Sequence, residues 1–405
     1  MIDGKNMKKR IFISMHYLEL GGAEMSLIGL LQALDYSKYD VDLLVQRHQG
    51  ELMQFIPHEV NLLPEISAYA CIECPIKEAI LKRQFGVTWG RLKAKWRARK
   101  YIPKDPSRPQ HAVFQYIAQE VEPHLPSLFK YGEYDLAISF LQPHNYVLSK
   151  VKAKKKVCWI HTDYTKVEFD TEAELPIWSA YDYIVSISLD VTTTFLQVFP
   201  SLEDKIVLIE NILSSVFVNR RAEEMDVSVE MPKRDGVINL LSVGRFSDAK
   251  NYDNAPDICR RIREKGIDLR WYIIGFGNET LIRQRTQEAG MEDYVIILGK
   301  RTNPYPYIKA CDIYAQPSRY EGKSVTVREA QILCKPVVIT DYPTARSQIR
   351  DGVDGVIVPM DNESCAQGMA NFIKDVKLQQ HIVDYLQIHD YGNEVEVDKI
   401  DLLLK

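Results

Sequence analysis

Val237-Ile238-Asn239-Leu240-Leu241-Ser242-Val243-Gly244-Arg245-Phe246, with Lys250-Asn251-Tyr252 close behind, decides how this chain is read. An aliphatic, β-branched run stops at a glycine, gives way to a basic loop, and an amphipathic stretch follows. That is the pattern of a parallel strand feeding a helix. It returns at Ile273-Ile274-Gly275-Phe276-Gly277, where a glycine turn closes another apolar run. Working outward, the pattern predicts strands over 237–243, 269–274, 294–298, 313–315 and 336–339, with helices over 252–265, 279–289, 324–334 and 362–375. Towards the N-terminus it predicts strands over 9–15, 41–45, 134–140, 156–160, 183–186 and 206–209, and helices over 23–34 and 189–198. The fold class is α/β with parallel sheets.

A chain of 405 residues suits two domains of roughly 200 residues each. The α/β pattern weakens into a polar, mixed-charge stretch after Asn211, so the expected boundaries are 1–213, a linker over 214–236, a second domain over 237–388 and a tail over 389–405. Net charge is −4, which gives no global basic field to recruit nucleic acid. Apolar runs such as Val157 to Ile160 are far shorter than the roughly 20 residues that span a bilayer. A cytoplasmic location is expected. Seven cysteines give no disulfide framework, and Cys71-Ile72-Glu73-Cys74 has no second pair to complete a zinc site, so packed thiols are expected. Asp40-Val41-Asp42 alternates within an expected strand and is discounted as a metal motif. No metal and no cofactor are expected.

Chemistry concentrates downstream, in Glu321-Gly322-Lys323-Ser324-Val325-Thr326-Val327-Arg328-Glu329. The stretch crosses an expected loop-to-helix junction. Amides at a helix N-terminus form an anion site, so Gly322, Lys323, Ser324 and Val325 are candidate phosphate contacts. Ser324 also fits an ordinary N-cap. Arg245 and Lys250 can reach the same strand-end region, Arg as a planar fork and Lys as a mobile charge. Glu321 is placed to accept hydrogen bonds from sugar hydroxyls, and Glu329, over a turn further in, from ribose hydroxyls. Singly, each residue has an ordinary surface role.

Together, Ser318-Arg319-Tyr320-Glu321-Gly322, Glu329-Ala330 and Pro336-Val337-Val338 resemble the retaining family 4 glycosyltransferases of the GT-B fold. Ser242 to Phe246 with Lys250 is similar to that family's phosphate-binding element, and the Gly275 turn and Asp351-Gly352-Val353-Asp354-Gly355 match in kind and order. The likeness is thinner upstream. There, Leu20-Gly21-Gly22-Ala23-Glu24 looks like the family's glycine-rich loop, and Trp159-Ile160-His161 like its sugar-contacting histidine. Lys323 stands where many relatives carry an aromatic or aliphatic residue.

The resemblance implies two facing Rossmann-like domains with a cleft between them, the first on the acceptor side and the second binding a nucleotide-sugar. It implies His161, Arg245, Lys250 and Glu321 as catalytic residues. Donor contacts would come from Gly21, Gly22, Gly244, Arg245, Lys250, Gly275, Glu321, 322–325 and Glu329. The nucleotide-sugar is a substrate, with UDP favoured because nothing argues for guanine. A GT-B-type nucleotide-sugar epimerase and a non-catalytic nucleotide-sugar-binding protein are the alternatives, the first lacking a nominated acid and base. One stretch, 77–108, carries eleven basic and two acidic residues with Trp89 and Trp96 among them. A solvated helical face would explain it. So would a basic amphipathic surface for anionic lipid, which would suit a lipid-linked glycan acceptor and a peripheral position on the inner face of the plasma membrane.

Overall fold

The computed structural model describes residues 8–19, 21–321 and 324–405. Two of the expected site residues, Gly322 and Lys323, therefore lie outside the described residues. The chain divides into two units. One runs to Ile212 and takes in Glu394–Lys405, and the other is Leu213–Asn393.

The first unit is built on β1 (Lys9–Met15), β2 (Tyr39–Val45), β3 (Asn61–Leu62), β4 (Glu133–Ser139), β5 (Lys152–Ile160), β6 (Tyr183–Ser186) and β7 (Ile206–Leu208). They pair in the order β3-β2-β1-β4-β5-β6-β7, all parallel. The second unit has β8 (Ile238–Val243), β9 (Leu269–Ile274), β10 (Val295–Gly299), β11 (Ile313–Gln316), β12 (Val337–Thr340) and β13 (Val356–Val358), ordered β10-β9-β8-β11-β12-β13 and again parallel. Helices cover parallel sheets on both faces, which is why central stretches such as Ile11–Ile13, Val157–Ile160 and Val337–Ile339 are apolar and buried. Leu240, Trp271, Ile273, Ile313 and Val338 pack with Ile258, Ile262 and Met369 from the helices Ala255–Glu264 and Asn362–Lys374. In each unit the strand order reverses once, between β1 and β4 and between β8 and β11. Ligands of doubly wound sheets bind outside the carboxyl ends at that point.

The expected linker belongs to a folded unit. Residues 214–236 lie in the second unit and include the helix Ser215–Ala222, capped by the Ser214 hydroxyl, which accepts from the Phe217 amide. The tail divides too: Glu394–Lys399 and Ile400–Leu403 belong to the first unit, where Ile400 and Leu403 are buried. Lys399 Nζ donates to the Leu208 carbonyl at 3.2 Å, and the Glu210 amide donates to Glu396 at 2.9 Å.

The basic stretch folds into the helices Ile76–Leu81 and Phe85–Lys100. Its charges do not all face outward. Arg91 is buried, donating to the carbonyls of Cys71 and Cys74, and Lys93 and Arg97 both pair with Glu120, at 2.6 and 2.7 Å. Cys71 and Cys74 are buried free thiols. Among the described residues no helix is long and apolar enough to cross a membrane.

Candidate functional site

The site residues of the second unit gather where its strand order reverses. Past the end of β8 the chain stays paired with its neighbour: the Gly244 amide donates to Ile274 O at 2.9 Å and the Phe246 amide to Phe276 O at 2.8 Å. That close approach explains one glycine directly. A Cβ at Gly275 would sit 1.9 Å from the Gly244 carbonyl oxygen, and backbone cannot yield as a side chain would. Gly277 is needed for a different reason, its φ of +126°.

Glu321, just past the end of β11, is held by three donors on one oxygen. Lys250 Nζ reaches its Oε1 at 2.6 Å, Ser318 Oγ at 2.6 Å and Gln316 Nε2 at 2.9 Å. Gln316 is itself oriented, because its Oε1 accepts from Tyr314 Oη at 2.9 Å. No hydrogen bond from a described residue falls on Oε2. Among the described residues the carboxylate is thus fixed through one oxygen. Lys250 is delivered by a short turn in which Asn251 takes the left-handed conformation, φ +58°, and donates its side-chain amide to Pro317 O at 2.8 Å. Arg319 closes the arrangement with two bonds to Asp253, at 2.9 and 2.7 Å.

Arg245 is exposed and pairs with no carboxylate among the described residues. Its guanidinium lies 5.8 Å from the Phe276 ring centre, and Lys300 Nζ approaches the same ring at 5.8 Å. Across the site the helix Val325–Ile332 begins. Ser324 holds its N-cap position, but contrary to an ordinary cap its side chain bonds no helix amide. Its hydroxyl meets Thr326 Oγ1 at 3.1 Å, and its own amide donates to Gln348 Oε1 at 3.0 Å. The first-turn amides, Val325 onward, therefore carry the helix's positive end with no cap from the Ser324 side chain.

Glu329 differs from the sequence expectation of an open ribose ligand. It is buried, and accepts from Tyr305 Oη at 2.9 Å. Burial lifts its carboxyl from 4.5 to about 7, against the opposing hydrogen bond. The folded state then keeps a proton that the unfolded chain releases, so this group's contribution to stability is full below 4.5 and declines as pH rises towards 7. Thermal unfolding of the protein is expected to show that decline, and Glu329→Gln to flatten it. An unchanged slope would mean the carboxyl is ionised and solvated in the fold. Glu174, buried in the first unit and also raised to about 7, adds a decline of the same sign that Glu329→Gln leaves in place.

The remaining expected residues lie in the first unit. Gly21 and Gly22 open the helix Gly22–Ala33. A Cβ on Gly21 would fall 2.1 Å from Glu24 Oε2, so that helix start already has a carboxylate folded over it. This weighs against a diphosphate contact at Gly21. His161 follows β5 with its ring 4.8 Å from that of Phe140, and its Nε2 is buried with no hydrogen-bond partner among the described residues. Burial lowers its pKa to about 4, so the imidazole is neutral near pH 7. At the reversal point of this sheet lies a cavity of about 310 Å³, lined by His16, Glu73, Arg91, His111, His144 and Glu174 among others. His144 Nε2 and Asn145 Oδ1 there are buried and have no hydrogen-bond partner among the described residues.

Sequence reasoning missed Gln316, Ser318 and Arg319 as the frame around Glu321. The available signal was a glutamine ending an otherwise apolar parallel strand. The Asp351–Gly355 element proves architectural: Asp354 accepts from the Arg350 amide at 2.7 Å and from Tyr391 Oη at 2.7 Å, and Asp351 from the Ile357 amide at 2.9 Å.

Residues 227–388 match the family model described as glycosyl transferases group 1. A Campylobacter jejuni N-acetylgalactosamine-N,N'-diacetylbacillosaminyl-diphospho-undecaprenol 4-alpha-N-acetylgalactosaminyltransferase is 33% identical over 145 residues, covering 35% of this chain and 39% of that protein. The putative colanic acid biosynthesis glycosyltransferase WcaL of Escherichia coli is 29% identical over 147 residues, covering 33% and 36%. The chain thus spans about two fifths of the length of the curated relatives it matches. Among solved structures, a Rickettsia africae glycosyltransferase superposes with a TM-score of 0.66 at 15% identity, covering 98% of both chains. Anabaena Alr3699/HepE in complex with UDP-glucose gives 0.63 at 16% identity, covering 97% of this chain and 98% of that one. The fold is the two-domain α/β fold of these glycosyltransferases.

Proposed function

We propose that this chain is a retaining glycosyltransferase that moves a sugar from a nucleotide-sugar, UDP favoured, to a glycan or lipid-linked glycan acceptor in surface-polysaccharide synthesis. The observation that carries the proposal is Glu321, fixed by Lys250, Ser318 and Gln316 through one oxygen beside the uncapped helix Val325–Ile332 at the reversal point of the sheet. A sugar hydroxyl suits the second oxygen, and a diphosphate suits the helix start. The family match over 227–388 supports the reaction class. Relatives named for colanic acid and amylovoran biosynthesis support the polysaccharide context, and UDP-glucose in a solved structure of the same fold supports the donor.

In this mechanism the bond from the anomeric carbon to the diphosphate oxygen breaks while the acceptor oxygen bonds on the same face. The acceptor proton passes to the departing phosphate. Lys250 keeps one N–H on Glu321 and has two more for that phosphate. Arg245, with no competing carboxylate among the described residues, and the amides after Ser324 complete the charge match. Glu321 serves as a sugar ligand and not as a nucleophile, and His161 as a neutral hydrogen-bonding group. The cavity of the first unit, whose mostly apolar wall of residues such as Ile72, Phe114 and Leu141 carries Glu73, Arg91 and Glu174 as polar points, suits an acceptor sugar in volume.

Purified enzyme is expected to transfer sugar after chelator treatment, since protein cations neutralise the leaving group, and to give a product with the donor's anomeric configuration. NMR of the product decides the second point. An inverted product, or activity restored only by a divalent metal, would overturn this mechanism.

A further inference from the structure

The helix Phe85–Lys100 has two apolar sides, and only one is used. Val87, Gly90, Arg91 and Ala94 are buried, Gly90 so closely that a Cβ would lie 2.5 Å from the Glu120 carbonyl oxygen. At about 100° per residue, Phe85, Trp89, Leu92 and Trp96 fall in one narrow arc diametrically opposite that buried face. Their exposures are 64%, 64%, 47% and 55%. Leu81, before this helix, and Ile102, after it, are more exposed still. A surface helix ordinarily turns polar residues outward, and an apolar stripe of this length at the surface marks an interaction site.

The charges around the stripe say what meets it. Lys95 and Arg99 are exposed, flank the arc on one side and pair with no carboxylate among the described residues. Lys100 flanks the other side, its Nζ 3.4 Å from the Trp96 ring centre. The acidic residues of the stretch are already engaged: Glu78 by Lys82 at 2.9 Å and Asp105 by Arg108 at 2.9 Å. Protein interfaces are depleted in lysine at their centres, whereas a helix lying in a bilayer surface carries tryptophan at the acyl boundary with Lys and Arg at headgroup height. We infer that this outer face of Phe85–Lys100 is a docking surface for an anionic lipid bilayer. Trp89 and Trp96 enter the interface, while Lys95, Arg99 and Lys100 meet the headgroup phosphates.

Flotation of the full chain with phosphatidylcholine vesicles, with and without phosphatidylglycerol, tests this. Binding is read without turnover, so the outcome is independent of the transferase proposal. The chain is expected to float with the anionic vesicles alone and to be released by salt. Trp89→Ser with Trp96→Ser, and separately Lys95→Ser with Arg99→Ser, should each weaken binding about tenfold or more. All four side chains are exposed, so thermal unfolding should stay unchanged, and Lys233→Ser with Lys377→Ser controls for net charge. Equal recovery on both vesicle types, recovery on neither, or variants that bind as well as the parent chain would overturn the inference. So would a concentration-dependent dimer abolished by the tryptophan pair, which would assign the face to a second copy.

Discussion

Lys250→Ala, assayed at saturating donor, is expected to lower turnover about 100-fold or more, the scale seen when a developing oxyanion loses one fixed donor. Arg245→Ala is expected to fall in the same range. The physical reason is shared: on the proposed mechanism each removes a cation from the departing phosphate where a neutral side chain cannot replace it. The fold should persist in both. Arg245 is exposed, and without Lys250 the Glu321 carboxylate still accepts from Ser318 and Gln316. Glu321→Gln separates the roles further. It should leave the affinity for UDP nearly intact by calorimetry and damage transfer, because on the proposed reading the second oxygen of Glu321 addresses the sugar. Near-normal turnover in both cation variants would sink the leaving-group assignment. Equal loss of UDP affinity in Glu321→Gln and Lys250→Ala would sink the division of labour.

Gly275→Ala is expected to be the most damaging conservative change in the second unit. The added carbon would lie 1.9 Å from the Gly244 carbonyl, so β8 and β9 must separate at the point where both enter the site. Overpacking into rigid surroundings costs on the order of 3 kcal/mol, and here the displaced atoms are backbone. The same shift moves Arg245 and Lys250, so turnover should fall with stability. Gly22→Ala is the matched comparison: nothing lies within 4 Å of its Cβ position, and its melting temperature should stay close to that of the parent chain. Indistinguishable melting of the two variants would refute the steric argument.

The fold was legible where strands are long and apolar. Runs such as Leu269–Ile274 and Tyr183–Ser186 appear at their expected limits, since a doubly covered parallel strand is mostly apolar, here Trp271–Ile274 and Tyr183–Val185. Asn61–Leu62 and Val356–Val358 were not legible, because two or three residues carry no periodicity. Nor was Thr171–Ser179, whose internal Pro176 reads as a breaker. In the site, the glycines, cations and Glu321 could be named from sequence because their chemistry is unusual at strand ends. Their partners could not. Gln316 and Ser318 act only through where β11 and its following loop put them, and Glu329 reads as a surface helix glutamate until burial against Tyr305 is seen. The charge count over 77–108 likewise treated Arg91 as surface, when its guanidinium is spent on two carbonyls.

The return of Glu394–Lys405 to the first unit has a consequence for synthesis. A ribosome delivers the seven strands of that unit long before it delivers Ile400 and Leu403, which are buried there, and the Lys399 ammonium that bonds Leu208. Until then the unit has an uncovered apolar seam, and sealing it closes a loop of roughly 180 residues, whose entropic penalty grows only with the logarithm of that length. The second unit, continuous in sequence, can complete itself inside the loop beforehand. A nascent chain arrested after Ile212 should therefore be far more vulnerable to protease than the same residues in the 405-residue chain, and Glu394–Lys405 act as a seal applied only after the second unit has been made.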